Sequence, residues 1–214
     1  MSESLHLKHD PINIVVCGMG GQGNIVASGI LGAALVEMGL KVTVGETYGA
    51  SQRGGSVMSH IRASAKEELG VLIPKGTAQI IVGFEPLETL RIALQYGNHN
   101  TVVIYDDRVS YPLGVLIGED EYPAPELINA ELKRICDRVY VVPGTQIALD
   151  MGNAKAANIT MMGALSAHPE TPIEPTAYLA QLAENFKGKV LELNIAAFNK
   201  GAEVLLSQLE GVSK

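Results

Sequence analysis

Hydrophobic residues occur along the chain in short continuous runs and in longer stretches with helical spacing, and the first three segments define the start of the fold. Residues 12–17 form a mostly apolar run that leads into glycine, which predicts a buried strand. Residues 25–38 show helical spacing and are followed by Gly39, a typical helix stop. Residues 41–46 predict the next strand. This order predicts a Rossmann-like βαβ unit with parallel strands, whose following loops lie at one edge of the sheet.

The remaining segments continue the alternation of strands and helices. Further strands are predicted at residues 56–63, 78–84, 101–105 and 138–142, and helices at 86–96, 126–136, 145–167, 176–185 and 190–209. The helical region at 145–167 contains a break near Gly152. Residues 108–125 carry three prolines and little periodicity, so we expect a surface excursion with a short strand at 114–117.

The fold class that follows is α/β, with three layers and a mostly parallel sheet. A chain of 214 residues is long enough to bury a full core, and its length does not require two domains. We therefore expect a single domain over residues 1–214, with a polar N-terminal extension at 1–11 and a helical C-terminal segment at 170–214.

Composition and charge narrow the possible partners. The chain is 47% hydrophobic and 18% charged, as is typical of an ordinary globular protein. Its formal net charge is −7 and its 16 basic residues are scattered, which argues against nucleic-acid binding. The opening residues lack an export signal, and no apolar run is long enough to cross a bilayer. We expect a cytoplasmic protein with no membrane partner.

Candidate metal ligands and catalytic groups are few. Cys17 and Cys136 are far apart and the chain has no CxxC, so an iron–sulfur cluster or structural zinc would have to belong to another chain. Asp106 and Asp107 end a predicted strand, where they could hold magnesium or could cap a turn. The five histidines form no cluster, and a structural or solvated role suits each of them.

The glycine loop after the first strand is the first candidate site. Gly18, Gly20 and Gly23 satisfy GxGxxG between a strand and a helix, where backbone N–H groups and the helix dipole attract anions. Glu46 ends the second strand, as an acidic residue that holds ribose hydroxyls would. The pattern alone leaves two possibilities open: a ligand-binding loop, or a tight turn that permits close packing of helix on sheet.

A second glycine-rich loop follows the next strand, with the sequence TYGASQRGGS at residues 47–56. An ordered loop of this composition indicates contact with another molecule. Arg53 and Gln52 could bind a carboxylate or phosphate, although Arg53 could instead tie down its own loop through backbone carbonyls.

The two loops together resemble a known family. The stretches CGMGGQGN (17–24) and ETYGASQRGGSVMSHIR (46–62) are similar to the γ-type subunit or domain of the 2-oxoacid:ferredoxin oxidoreductases. Later stretches most resemble the β subunits of indolepyruvate:ferredoxin oxidoreductases. These stretches are FEPLETLR (84–91), GNAKAANITMMGALSA (152–167) and VLELNIAAFNKG (190–201). The similarity extends over nearly the whole chain.

This resemblance implies a subunit that is inactive alone. Thiamine diphosphate, magnesium and [4Fe-4S] clusters are then expected in a large α subunit, with CoA as cosubstrate and ferredoxin as electron acceptor. The implied reaction is the oxidative decarboxylation of indolepyruvate or another aryl pyruvate to the arylacetyl-CoA. The family's functional loops map onto Gly18, Gly20, Gly21, Gln22, Gly23, Glu46, Tyr48, Gly49, Ser51, Gln52, Arg53, Gly54, Gly55 and Asn158.

The resemblance also suggests a role for these residues. We expect them to face the α subunit, with Gln22, Tyr48 and Arg53 closing the active-site cavity or receiving CoA or the substrate carboxylate. Two other function classes remain as alternatives. One is a stand-alone NAD-binding Rossmann-type oxidoreductase, supported by GxGxxG and Glu46, and the other is a non-enzymatic binding module on the same scaffold.

Overall fold

The structure is a computed structural model that describes residues 7–48 and 55–212. It contains one six-stranded sheet in the order β2-β3-β1-β4-β5-β6. The strands are β1 Ile12–Met19, β2 Lys41–Tyr48, β3 Ser56–Ser64, β4 Ile80–Gly83, β5 Val102–Asp106 and β6 Arg138–Val142. The helices are α1 Asn24–Glu37, α2 Pro86–Tyr96, α3 Leu113–Leu116, α4 Pro125–Ile135, α5 Gly144–Asp150, α6 Ala157–Ala167, α7 Pro175–Asn185 and α8 Gly188–Val212.

Five strands run in one direction, and β3 runs against its two neighbours. The predicted mostly parallel α/β fold is thus confirmed, with one local difference. β1 and β2 run parallel, but they are not adjacent because β3 lies between them and forms a hairpin with β2. We call the edge where β1, β2, β4, β5 and β6 end the carboxyl rim, and the opposite edge the amino rim.

Side chains of each strand alternate between two hydrophobic clusters, as a pleated strand requires. Ile14 and Val16 of β1 pack into the cluster formed with α1, α6, α7 and α8, whereas Val15 and Cys17 pack into the cluster formed with α2 and α4. Helices therefore cover both faces of the sheet, which gives the predicted three layers. No helix in the described ranges has the combination of length and apolarity that a bilayer span needs.

The prediction of a short strand at 114–117 is wrong. Residues Leu113–Leu116 form one helical turn, in which the carbonyl of Pro112 accepts hydrogen bonds from the N–H groups of Val115 and Leu116. The turn ends at Gly118, whose φ of 78° suits glycine. The apolar run resembles a strand, but in the folded chain it lies beyond β5 without a neighbouring strand to pair with.

Candidate functional site

The glycine turn connects β1 to α1 at the carboxyl rim. Gly21 and Gly23 have φ values of 101° and 88°, a region that only glycine adopts freely. The Gln22 side chain fixes the turn, because its Oε1 accepts from the Met19 N–H at 2.6 Å and its Nε2 donates to the Phe84 carbonyl at 2.9 Å. Gln22 therefore joins the turn to the end of β4, and its amide is occupied within the chain.

The second glycine-rich loop leaves the sheet at the same rim. Tyr48 ends β2 and Ser56 begins β3, so the loop is the hairpin connection between them. The Gly20 N–H donates to the Gly55 carbonyl at 2.8 Å, so the backbones of the two loops touch. The predicted residues Gly49, Ser51, Gln52, Arg53 and Gly54 lie outside the described residues, and their roles stay predictions.

Asn158 brings α6 to the glycine turn. It is 5% exposed, and its Nδ2 donates to the Gly23 carbonyl at 3.1 Å. Five residues later, Gly163 lies against α8, where an added Cβ would clash with the Phe198 carbonyl oxygen. Asn158 thus fixes the glycine turn, and Gly163 lets α6 and α8 approach closely.

Glu46 lies near the end of β2 with an exposed side chain. Ser28, on α1, places its hydroxyl 3.5 Å from the Glu46 Oε1 as a donor. The sequence-predicted residues that the structure describes at this rim are Gly18, Gly20, Gly21, Gln22, Gly23, Glu46, Tyr48, Gly55 and Asn158.

A cleft of about 890 Å³ opens beside the glycine turn, between the ends of β4 and β5 and helices α6 and α8. Sequence reasoning missed three of its polar residues, Arg108, Lys155 and Asn194. Arg108 could have been identified from the sequence, since it follows a predicted parallel strand at the edge where α/β proteins bind ligands. Lys155 and Asn194 come from helical segments that only the tertiary structure brings to the cleft.

Asp106 lines this cleft from the end of β5 and is 1% exposed. Its Oδ2 accepts from the Thr145 N–H at 2.8 Å and from the Thr145 hydroxyl at 2.5 Å, and its Oδ1 accepts from the Arg108 N–H at 3.2 Å. Burial raises the pKa of Asp106 to about 6, against these hydrogen bonds, which lower it. One oxygen thus accepts from the start of α5 and the other from the turn after β5, which is the capping and turn-forming role among the two that the sequence allowed.

Glu85 is a buried carboxylate that anchors the excursion between β5 and α4. Its Oε2 caps α2 by accepting from the Glu88 N–H at 2.8 Å, and its Oε1 accepts from the Tyr122 hydroxyl at 2.5 Å. Burial raises the pKa of Glu85, and the Tyr122 hydrogen bond opposes that shift. The excursion is therefore attached to the rim next to the cleft.

The two thiols are buried on the α2 and α4 side of the sheet. Burial raises the pKa of Cys17 far above its usual range and that of Cys136 to about 11, so both are protonated at neutral pH. Thiolates are the form that binds iron or zinc. Among the described residues, no group of three His, Cys, Asp or Glu side chains is arranged to hold a metal ion.

Comparison with known proteins places these features in context. Residues 13–204 match the sequence model of the family described as pyruvate ferredoxin/flavodoxin oxidoreductase. The indolepyruvate oxidoreductase subunit IorB of Archaeoglobus fulgidus is 36% identical over 196 residues, which cover 92% of this chain and 96% of that protein. This result confirms the resemblance that the sequence motifs indicate.

Solved structures share the fold. Pyruvate oxidoreductase subunit PORC of Thermotoga maritima superposes with a TM-score of 0.68 and 20% identity, covering 92% of this chain and 97% of that one. A 2-oxoglutarate:ferredoxin oxidoreductase from Magnetococcus marinus was solved with 2-oxoglutarate, coenzyme A and succinyl-CoA bound. It superposes with a TM-score of 0.70 and 24% sequence identity. The match covers 94% of this chain but 32% of that longer chain. The family match and the similarity to IorB do not favour a stand-alone NAD-binding oxidoreductase.

Proposed function

Because the chain belongs to the pyruvate ferredoxin/flavodoxin oxidoreductase family, we propose that it is the small subunit of a 2-oxoacid:ferredoxin oxidoreductase that acts on indolepyruvate or another aryl pyruvate. The observation that carries the proposal is its similarity to an indolepyruvate oxidoreductase subunit over almost the full length of both chains. The proposed substrate follows that of the relative, which is an indolepyruvate oxidoreductase subunit.

The proposed reaction converts the 2-oxoacid, CoA and two oxidised one-electron ferredoxins into the acyl-CoA, carbon dioxide, two reduced ferredoxins and one proton. Decarboxylation releases the carboxylate carbon as carbon dioxide, and the acyl group forms a thioester with the CoA sulfur. The two electrons lost by the acyl carbon pass to ferredoxin. This chemistry requires an electron sink for the decarboxylation and a redox chain for the electrons.

A large partner subunit would supply those groups, namely thiamine diphosphate, magnesium and [4Fe-4S] clusters. One feature of this chain supports the division, because it has two cysteines, both buried, whereas a [4Fe-4S] cluster is held by four cysteine thiolates. The small subunit then contributes surfaces and binding groups to a site shared with its partner.

We place that shared surface at the carboxyl rim. The hydrogen bond between Gly20 and Gly55 supports it, because the bond holds the glycine turn and the second loop side by side. In the proposal, Tyr48, Gln52 and Arg53 receive CoA or the substrate carboxylate. Gln22 acts through the backbone, since its amide already holds Met19 and Phe84.

Co-expression with the large subunit tests the assignment. The purified complex is assayed anaerobically for viologen reduction with CoA and indolepyruvate, phenylpyruvate, pyruvate or 2-oxoglutarate. We expect a coloured complex that turns over the two aryl pyruvates fastest. Failure to co-purify would contradict the subunit assignment, whereas a complex that prefers pyruvate or 2-oxoglutarate would contradict only the substrate.

The role of Arg53 is tested in the same complex. Arg53→Ala should lower turnover by about tenfold or more while leaving assembly intact, because a guanidinium that binds a carboxylate or phosphate contributes strong charge-assisted hydrogen bonds. Arg134→Ala is the matched control, since Arg134 is an exposed arginine on α4. Normal turnover of the Arg53 variant would remove this residue from the site.

A further inference from the structure

Strand β2 is one edge of the sheet, and within the described ranges no strand lies on its outer side. It comes first in the strand order and pairs only with β3. No hydrogen bond between described residues reaches the outer backbone groups of residues 41–45. β2 has eight residues, whereas β6 at the opposite edge has five. The open N–H and C=O groups of a long edge strand form a template on which another strand can pair.

Apolar groups flank this edge on the α1 face of the sheet. Val44 of β2 is 39% exposed and packs against Gly32 of α1, where an added Cβ would lie 3.0 Å from the Val44 Cγ2. Residues three and four positions from Gly32 share its side of the helix, which places Gly29 and Val36 next to β2. Val36 is 55% exposed, and α1 carries no charged residue before Glu37. An exposed helix side without charge indicates a surface that becomes covered.

The opposite face of the edge is apolar as well. The segment that follows β3 lies against β2 there, and the Thr43 hydroxyl donates to the Leu69 carbonyl at 2.9 Å. A Cβ on Gly45 would clash with Val71, so the segment and the strand are in close contact. Val71 and Leu72 are both exposed. We call the whole region the edge surface, and its members are β2, Gly29, Val36, Val71 and Leu72.

We propose that the edge surface binds β2 of a second copy of this chain, with the two strands antiparallel. A two-fold axis through Val44 places Val44 of one copy opposite Val44 of the other. Each copy then contributes the same surface, as in the isologous interfaces of most dimers. The two six-stranded sheets become one continuous sheet, and the open backbone groups of both edges are satisfied.

The sequence of β2 is compatible with pairing to itself. In this register Lys41 lies opposite Thr47, Val42 opposite Glu46 and Thr43 opposite Gly45. Like charges directly opposite each other would destabilise the pair, and this register contains none within residues 41–47. This self-complementarity favours a second copy over an unrelated strand.

The size of the edge surface sets the expected strength. A strand of eight residues spans about 26 Å, and with the layers above and below it the edge is about 20 Å deep, so pairing would bury roughly 1,000 Å² in total. This area is at the lower limit for specific interfaces, so we expect a reversible dimer with a micromolar Kd. Because the paired strands are antiparallel, the two carboxyl rims point in opposite directions. Each rim stays free, and the inference does not depend on the proposed function.

Sedimentation velocity of the full-length chain over a concentration series tests the proposal. We expect a reversible equilibrium between one chain and a species of twice its mass. Hydrogen–deuterium exchange gives a local readout of the contact. The amides of residues 41–47 should exchange more slowly as the dimer forms, whereas those of β6, the other edge strand, should not change.

Charge substitutions at the axis test the register. Val44→Lys and Val44→Glu should each weaken the dimer by about tenfold or more, because each places two like charges opposite one another. An equimolar mixture of the two variants should recover dimerisation, because lysine then lies opposite glutamate. Urea unfolding checks that both variants are folded, as the partly exposed Val44 side chain allows. Leu94→Lys is the matched control, since Leu94 is an exposed leucine on α2, which packs on β4 and β5.

Three results would overturn the inference. The first is a chain that stays monomeric at about 100 µM, well above the expected Kd. The second is a dimer that the Val44 variants do not weaken, or that their mixture does not restore. The third is protection of β2 that appears only with the large subunit, which would make a strand of that subunit the occupant. Loss of the proposed function is a separate result, seen as a reconstituted complex without oxidoreductase activity.

Discussion

The amino rim and the carboxyl rim of the sheet differ in the partners of their charged side chains. At the amino rim, the carboxylate of Glu170 is 7% exposed and contacts Lys8 at 2.5 Å, Arg138 at 2.7 Å and His9 at 3.1 Å. These partners attach the segment before β1 and the start of β6 to the turn after α6. The charges there are used to hold the chain together.

At the carboxyl rim, the polar groups fall into two kinds. Gln22 and Asn158 are fixed by hydrogen bonds to the backbone, whereas Arg108, Lys155 and Asn194 lack such partners within the described ranges. The two rims therefore differ in whether their charged side chains have partners within the chain. The cations of the amino rim hold segments of the chain together, whereas two cations of the carboxyl rim have no partner in the described ranges. Four predictions test this difference, beginning with the largest effect.

Gly23→Ala should disrupt the frame of the carboxyl rim. The change forces a side chain into a φ of 88°, and the new Cβ would clash with the Nδ2 of Asn158. We expect a loss of about 3 kcal/mol in the free energy of unfolding, measured in urea. Gly29→Ala, within α1, is the control, because a Cβ there meets no atom within 4 Å. Equal stability of the two variants would refute the account of the turn.

Glu170→Gln should break the charge cluster of the amino rim. It leaves Lys8 and Arg138 without their carboxylate, and we expect a loss of about 2 kcal/mol in the free energy of unfolding. Glu131→Gln removes the exposed pair with Arg134 and should change stability by about 0.5 kcal/mol or less. If both variants lose the same amount, Glu170 is not the anchor described above.

The amino rim should also make stability sensitive to acid. Burial, with the charges of Arg138 and Lys8, lowers the pKa of His168 to about 4. The unfolded chain therefore binds more protons than the folded chain between about pH 6.5 and 4, so stability falls as pH falls through that range. Glu170, whose pKa is lowered to about 2 by its cationic partners against burial, adds a loss in the same direction at lower pH.

Urea unfolding from pH 7 to pH 4 measures this effect. We expect His168→Gln to remove at least about 1 kcal/mol of the pH-dependent loss, because each pKa unit between the folded and unfolded states corresponds to about 1.4 kcal/mol. Asp106 at the other rim works in the opposite direction, because its raised pKa favours the folded state as pH falls towards 4. The contribution of Asp106 cancels when the His168→Gln variant is compared with the native chain at each pH. Parallel profiles of the variant and the native chain would exclude His168 as a source of the acid sensitivity.

Lys155→Gln should have the smallest effect on stability. Since Lys155 has no ion pair in the described chain, its removal should change the free energy of unfolding by about 0.5 kcal/mol or less. Arg138→Gln is the comparison at the amino rim and should lose more. If Lys155→Gln lowers the free energy of unfolding as much as Arg138→Gln does, Lys155 also stabilises the fold. The contrast between the two rims would then be wrong.

Much of the fold could be predicted because it depends on local pattern. The apolar run before Gly18, the helical spacing after Gly23 and the parallel strands that follow are all confirmed. The insertion of β3 between β1 and β2 was not predicted, because strand order depends on pairing between distant segments. The apolar run at 114–117 was misassigned for the same reason, since a strand forms only where a partner strand is available.

The candidate site was predicted in part. The glycine turn stands out because consecutive glycines signal left-handed backbone, and Gly21 and Gly23 adopt it. Asn158 was identified through the family resemblance, and its bond to Gly23 could not be derived from spacing. Lys155 and Asn194 carry no local signal, because an isolated lysine or asparagine in a helix usually faces water.

The sequence by itself determined most of the segments that become strands, helices and glycine turns, and the family to which the chain belongs, because these properties depend on short-range patterns and on motifs in a fixed order. Only the tertiary structure decided that Arg108, Lys155 and Asn194 line one cleft beside the start of α1, and that Lys8 and Arg138 both bind Glu170 at the amino rim. The physical reason is that the role of a charged or amide side chain depends on the groups that surround it. Those surroundings are assembled from residues that are far apart in the chain.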